Sequence, residues 1–177
     1  IEQNLIGSGG NTVNVQIYEG DWPIEFSYRS VPKGLNQVRS ETMQEIQNIK
    51  EVQCCATYLS RQDYEGVFYL STSLSGGYIY GVSPTYFDTQ ELIMMKGRAF
   101  SDNDYKSFSK VAIIDKQAAD TLFNGIEPIG KTIEVKSQPY TVIGVVTELN
   151  KFEPVINTVG DYYTYASQGN GAVYVTD

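Results

Sequence analysis

Gly125-Ile-Glu-Pro-Ile-Gly130-Lys131-Thr132 spells out GxxxxGK[ST], the phosphate loop of nucleotide-binding proteins, letter for letter. Its surroundings decide what kind of fold the chain has. A working phosphate loop follows a strand and opens a helix, whose first amides and positive dipole end hold the phosphates. Here the order is reversed. Asp115 offers a cap for a helix through Phe123, which Asn124 and Gly125 would end. Thr132-Ile-Glu-Val-Lys-Ser-Gln-Pro-Tyr140 then alternates as a strand does and contains Pro139, so no helix follows the loop. Glu127 would put negative charge near the phosphates, and Pro128 removes an amide that the cradle would use. The stretch reads as a turn between a helix and a hairpin, with Gly130 present for turn geometry and no nucleotide bound.

Working outward, Thr132 to Val135 and Tyr140 to Val146 flank Lys136-Ser-Gln-Pro139 at the spacing of a hairpin. Val111 to Ile114 is a buried strand ahead of the helix, and Ser101 can cap a short turn before it. Further upstream, Thr12 to Tyr18 alternates Val13, Val15 and Ile17 with polar neighbours, the pattern of a one-sided strand. Gly20 to Gly34 mixes Trp22, Pro23, Phe26, Tyr28 and Pro32 without a period and reads as a loop or irregular edge. Ser40 can cap a helix to about Lys50, whose Met43, Ile46 and Ile49 would lie on a sheet. Gln53 to Tyr64, Val67 to Leu70 and Tyr78 to Val82 read as successive strands. Thr147 to Gly171 loses periodicity, and Ala172 to Thr176 supplies a last strand. The expected fold class is α+β.

Of 177 residues, 41% are hydrophobic and 19% charged, enough to bury a core and unlike a disordered tail. A net charge of −8 with 13 scattered Lys and Arg excludes nucleic acid as a partner and disfavours bare anionic lipid. There is no His, which removes Ser/His/Asp and Cys/His nucleophile systems and histidine zinc sites together. Asp102 and Asp104 begin like a calcium loop, but its glycine and distal Glu are missing; two acids there serve the helix dipole. No catalytic residue, metal site or cofactor is expected. Cys54 and Cys55 are adjacent, and neighbours on a strand point to opposite faces, so they cannot staple distant elements and read as two thiols of a half-buried strand, with a strained bond between the neighbours as the alternative.

Among the 14 tyrosines, Tyr78 and Tyr80 read as strand packing. Tyr162, Tyr163 and Tyr165 in the aperiodic stretch are candidate partner contacts, with Trp22 and Phe26 second. No apolar run approaches the length needed to span a bilayer. The chain opens at Ile1 without a start Met or leader, as expected of a piece excised from a longer protein.

The stretch Tyr78-Ile-Tyr-Gly-Val-Ser-Pro-Thr-Tyr-Phe87, then Met95-Lys-Gly-Arg-Ala-Phe-Ser-Asp-Asn-Asp104, resembles the signature of MacB-type ABC permease ectodomains. Lys110-Val-Ala-Ile-Ile-Asp115, Leu122-Phe123, Pro128-Ile-Gly-Lys131 and Tyr140-Thr-Val-Ile-Gly-Val145 follow in the family's order. Asn11-Thr-Val-Asn-Val15 and the helix from Ser40 look like its opening segment. Single pieces are weak; the series over about 135 residues carries the resemblance. Gly81, Pro84, Phe87, Gly97, Arg98, Phe100, Gly130 and Gly144 are the motif positions with a structural role.

The resemblance implies a two-lobed domain: a porter-like β/α lobe from residues 1–96 plus 149–177, and a smaller α/β lobe inserted at 97–148. It implies a place outside the cytoplasmic membrane, between the first and second transmembrane helices of a permease. Implied partners are a second permease copy, a membrane-fusion adaptor and a cytoplasmic ABC ATPase, with the domain itself no enzyme. The implied function is coupling of ATP hydrolysis to efflux or export. A ligand-sensing module, or a lipoprotein-releasing or FtsX-like permease ectodomain, is the alternative.

Overall fold

Asp115 caps its helix as expected, its carboxylate accepting the Ala118 amide at 2.6 Å, and Asn124 closes the same helix in the left-handed conformation. Around that helix the computed structural model describes residues 12–15, 18–19, 22–23, 38–63, 66–148, 157–160 and 171–176. In chain order the elements are β1 (Tyr18–Glu19), β2 (Trp22–Pro23), α1 (Ser40–Gln47), β3 (Tyr58–Asp63), β4 (Val67–Tyr69), β5 (Thr72–Ser73), β6 (Gly77–Val82), α2 (Tyr86–Thr89) and β7 (Leu92–Gly97). They continue with α3 (Asp102–Lys106), β8 (Val111–Asp115), α4 (Lys116–Phe123), β9 (Thr132–Val135), β10 (Gln138–Glu148) and β11 (Ala172–Thr176).

Nine strands form one sheet in the order β3-β6-β11-β8-β10-β9-β4-β5, with β7 paired to the far half of β10. The class is α+β. The sheet mixes strands from 97–148 with flanking ones: β11 lies between β6 and β8, and β7 lies along β10. Strand alternation explains the two cores. On β8, Ala112 and Ile114 join Ala118, Leu122 and Phe123 of α4, while Ile113 joins Tyr86, Phe87 and Tyr174 on the opposite face. A strand buried on both faces reads as the continuous apolar run seen at 111–114.

The hairpin is tighter than the sequence reading. β10 starts at Gln138, leaving only Lys136 and Ser137 as the turn, both left-handed (φ 53° and 62°). Two such residues match the twist of the flanking strands. Pro139 stands opposite Glu134, next to the bonded pair Gln138 and Val135, where it owes β9 no amide.

Four expectations need correcting. Residues 12–15 form no strand: Val13 and Val15 are each 87% exposed, so their alternation finds no surface to pack on. Arg39 rather than Ser40 is the N-cap of α1, with no side-chain cap bond, and α1 ends at Gln47. Nor does α1 lie buried on a sheet, because none of its residues is buried. The strand expected from Gln53 begins only at Tyr58, which leaves both cysteines outside it. β7 carries no local strand signal: Leu92-Ile-Met-Met has no alternation, and the register skips Met95, which forms a β-bulge between Lys96 and Met94.

Candidate functional site

The motif positions converge where β7 leaves the sheet. Gly97 ends β7 at φ 75°, and a Cβ there would collide with the Ile143 carbonyl oxygen, so only glycine fits. Opposite it in the ladder, a Cβ on Gly144 would sit 2.7 Å from the Arg98 carbonyl and 2.9 Å from the Met94 sulfur. The Arg98 amide donates to the Ile143 carbonyl at 2.9 Å, carrying the chain one residue beyond the strand.

From there the Arg98 guanidinium donates to both oxygens of Asp104, at 2.6 and 3.1 Å. Asp104 is 4% exposed and also accepts the amide and hydroxyl of Ser101, each at 2.7 Å. The Asp104 amide donates back to the Ser101 hydroxyl at 3.4 Å, which completes a capping box at the start of α3. The Arg98 guanidinium, then Ser101, hold the Asp104 carboxyl well below the usual carboxylate range against the opposing effect of burial. The two acids read together in the sequence therefore differ: Asp102 is exposed, and Asp104 is the buried half of an ion pair. The spacing Ser101-x-x-Asp104 was the legible signal of the box.

Phe100 carries this junction into an aromatic cluster. Its ring is 5.9 Å from both Phe87 and Tyr105, and Phe87 is 5.3 Å from Tyr174. Tyr80 stacks on Tyr174 at 5.3 Å, and Tyr58 lies 5.5 Å from Tyr86. The Tyr105 hydroxyl donates to the Val82 carbonyl at 3.1 Å, tying α3 to the end of β6. Burial, then Tyr78, Tyr58 and Asp115, pushes the Tyr80 phenol up to about 12; burial raises Tyr86 and Tyr174 further. Tyr58 and Tyr78 form the rim, at 37% and 38% exposure. Tyr80 packs as the sequence suggested; Tyr78 stacks on it at the exposed rim.

Gly81 lies within β6 between Leu59 and Val175, and Pro84 is exposed in the turn before α2. Gly130 adopts φ 79° with open space where a Cβ would stand, so its role is conformational. The phosphate-loop amides are engaged within the fold: Gly130 N–H donates to the Val142 carbonyl at 2.8 Å and Lys131 N–H to the Pro128 carbonyl at 3.0 Å. Behind them comes β9, a strand, and Glu127 pairs with Lys96 at 2.7 Å. Among the described residues no three His, Cys, Asp or Glu side chains group as a metal site, and no helix is long and apolar enough to cross a membrane. Tyr162, Tyr163, Tyr165 and Phe26 lie outside the described residues, and of Trp22 only the β2 backbone is described, paired with β1.

The junction, cap and aromatic cluster draw on the two longest pieces of the signature. Residues 1–176 match the family of the MacB-like periplasmic core domain. The chain belongs to that family. As a MacB-like periplasmic core domain it is an extracytoplasmic domain of the ABC permease type. It is 32% identical over 168 residues to the uncharacterized ABC transporter permease YvrN of Bacillus subtilis strain 168, a match covering 92% of this chain and 39% of YvrN. It is 42% identical over 78 residues to the macrolide export ATP-binding/permease protein MacB of Neisseria gonorrhoeae, 44% of this chain and 12% of that protein. The chain thus spans well under half the length of the curated relatives it matches.

Two solved structures share the fold of this MacB-like domain. The periplasmic region of MacB from Actinobacillus actinomycetemcomitans aligns with a TM-score of 0.59 and 20% identity, over 81% of this chain and 56% of that one. The extracellular domain of the noncanonic ABC-type transporter YknZ from Gram-positive bacteria aligns at 0.54 and 24% identity, over 77% and 61%.

Proposed function

We propose that this domain relays ATP-driven motion of a dimeric ABC permease to the outside of the membrane and docks a membrane-fusion adaptor, serving efflux or export. The observation that carries the reading is the family match over 1–176. The build of the sheet supports the relay. β11 is hydrogen-bonded on both sides, to β6 in parallel and β8 antiparallel, so a load along it shears two ladders at once. The junction from Gly97 to Asp104 is similarly stiff, held by an ion pair, a cap and a ring stack. The ATPase is a separate domain or subunit on the cytoplasmic side.

Adaptor or subunit contacts are assigned to Tyr162, Tyr163 and Tyr165, with Trp22 and Phe26 second, because these aromatics stand in the aperiodic stretches of the sequence and Trp and Tyr dominate partner hot spots. Copurification of the full-length permease with an adaptor encoded beside it tests docking; two proteins that never associate would sink it. Replacing Tyr162 and Tyr163 by Ala should weaken the association by about 1 to 2 kcal/mol or more with folding stability nearly unchanged. Equal loss of stability would place them in the core.

A further inference from the structure

Cys54 and Cys55 are the chain's only cysteines. Residues 54–57 have no strand structure, so the rule that sends neighbouring strand side chains to opposite faces does not hold them apart. Both thiols are free and half-buried in the link between α1 and β3. That link is tied on two sides. The Cys55 thiol donates to the Met43 carbonyl of α1 at 3.6 Å, and the Cys55 carbonyl accepts the Thr85 hydroxyl at 2.5 Å in the turn before α2. α1 buries none of its residues, and this bond ties its backbone to the link that follows it.

We propose that Cys54 and Cys55 form a redox site whose oxidation to a disulfide between neighbours withdraws the Cys55 thiol from Met43 and loosens α1. The oxidant is a low-molecular-weight disulfide. One protein thiolate attacks it, forming a mixed disulfide and expelling one small thiolate; the second protein thiolate attacks the protein sulfur of that bond and expels the other. One S–S bond breaks and one forms, and the two protons and two electrons end on two small thiols. The product has no S–H, so the bond to Met43 cannot persist. Adjacent Cα atoms stand about 3.8 Å apart, below the roughly 4.4–6.8 Å usual for a disulfide. The bond is therefore strained and easily reduced, as labile, regulatory disulfides are. The inference rests on the extracytoplasmic placement of the domain, since disulfides persist outside the reducing cytosol.

The test uses the full-length permease in spheroplasts and membranes. After treatment with oxidised glutathione, free thiols are alkylated and the protein is digested with trypsin. Lys50 and Arg61 bound one peptide, Glu51 to Arg61, that holds both cysteines. The expected peptide is unalkylated, lighter than the dithiol by two hydrogens, and doubly alkylated after dithiothreitol. Native cleavage at Arg39, the exposed N-cap of α1, should become several-fold faster on oxidation. Cys54→Ser keeps the Cys55 thiol and cannot close the ring; oxidant can then only cap Cys55 as a mixed disulfide, and the fraction in which alkylation shows Cys55 still free should be cleaved slowly with or without oxidant. A peptide carrying two glutathiones, a cross-link between chains, or two alkyl groups after oxidation overturns the site. Complete closure with unchanged cleavage at Arg39 overturns the release of α1. Cysteines that a membrane-impermeant maleimide labels only after permeabilisation refute the placement instead.

Discussion

Arg98 and Asp104 meet through two hydrogen bonds, with the guanidinium about half in solvent (52% exposed) and the carboxylate buried beneath it. The asymmetry orders two mutants. Arg98→Ala leaves a buried carboxylate with only Ser101 for company and should cost about 2 to 3 kcal/mol. Asp104→Ala leaves an arginine that water can solvate and removes a cap, at about 1 to 2 kcal/mol. Urea denaturation of both variants checks the order, and Arg98→Lys should recover only part, since lysine cannot bond both oxygens.

The same pair sets an acid limit. Because the folded state holds the Asp104 carboxyl below its unfolded range, the unfolded chain binds the proton first as pH falls. The stabilisation is complete above the ordinary aspartate pKa of about 3.9 and is lost as pH drops below it toward the folded value. Denaturation curves collected from neutral to acid pH should show this loss in the natural chain and a shallower one in Asp104→Asn.

At the other end of the scale, the aromatic cluster sets an alkaline limit. Tyr80, raised to about 12, and the still higher Tyr86 and Tyr174 keep their protons when unfolded phenols release theirs near 10. Stability contributed by these groups is full below about pH 10 and declines as pH rises through their folded values. An absorbance titration of phenolate should resolve an ordinary set and a late set that appears with unfolding. Tyr174→Phe should shrink the late set.

Two glycines of positive φ separate conformational from steric need. Gly130→Ala meets open space and should lose only the left-handed penalty of about 1 to 2 kcal/mol. Gly97→Ala adds a collision with the Ile143 backbone and should cost roughly 3 kcal/mol or more. Thermal unfolding of the two variants, compared side by side, decides it.

The elements legible in the sequence are those whose signals lie within a few residues of one another. Asp115, Asn124 and the alternation on either side of Lys136 delimited α4 and the hairpin, and Ser101 announced α3. The misread elements depend on what lies elsewhere. Val13 and Val15 alternate like a strand yet stand exposed, and Ser40 lost the cap to Arg39 because the chain already turns helical at the serine. β7 was hidden by the bulge at Met95, which breaks the period just where the strand is apolar. The site was half legible for the same reason: the Ser101 to Asp104 box is local, while the closure of Arg98 on Asp104 and the stacking of Tyr80 on Tyr174 require the sheet to be assembled.

β11 joins residues 172–176 to β6 at 77–82 and to β8 at 111–115. A sheet with an interior strand that is the last of the described elements cannot be completed in order of synthesis. Until residue 176 has emerged, β6 and β8 each stand with a bare edge, and the two halves of the sheet have nothing between them. Pairing across such sequence distances is slow to form, and unpaired edges are templates for foreign strands. A chain cut before Ala172 would therefore have every local element in place and still present two sticky edges, so its fate is aggregation rather than a smaller folded domain.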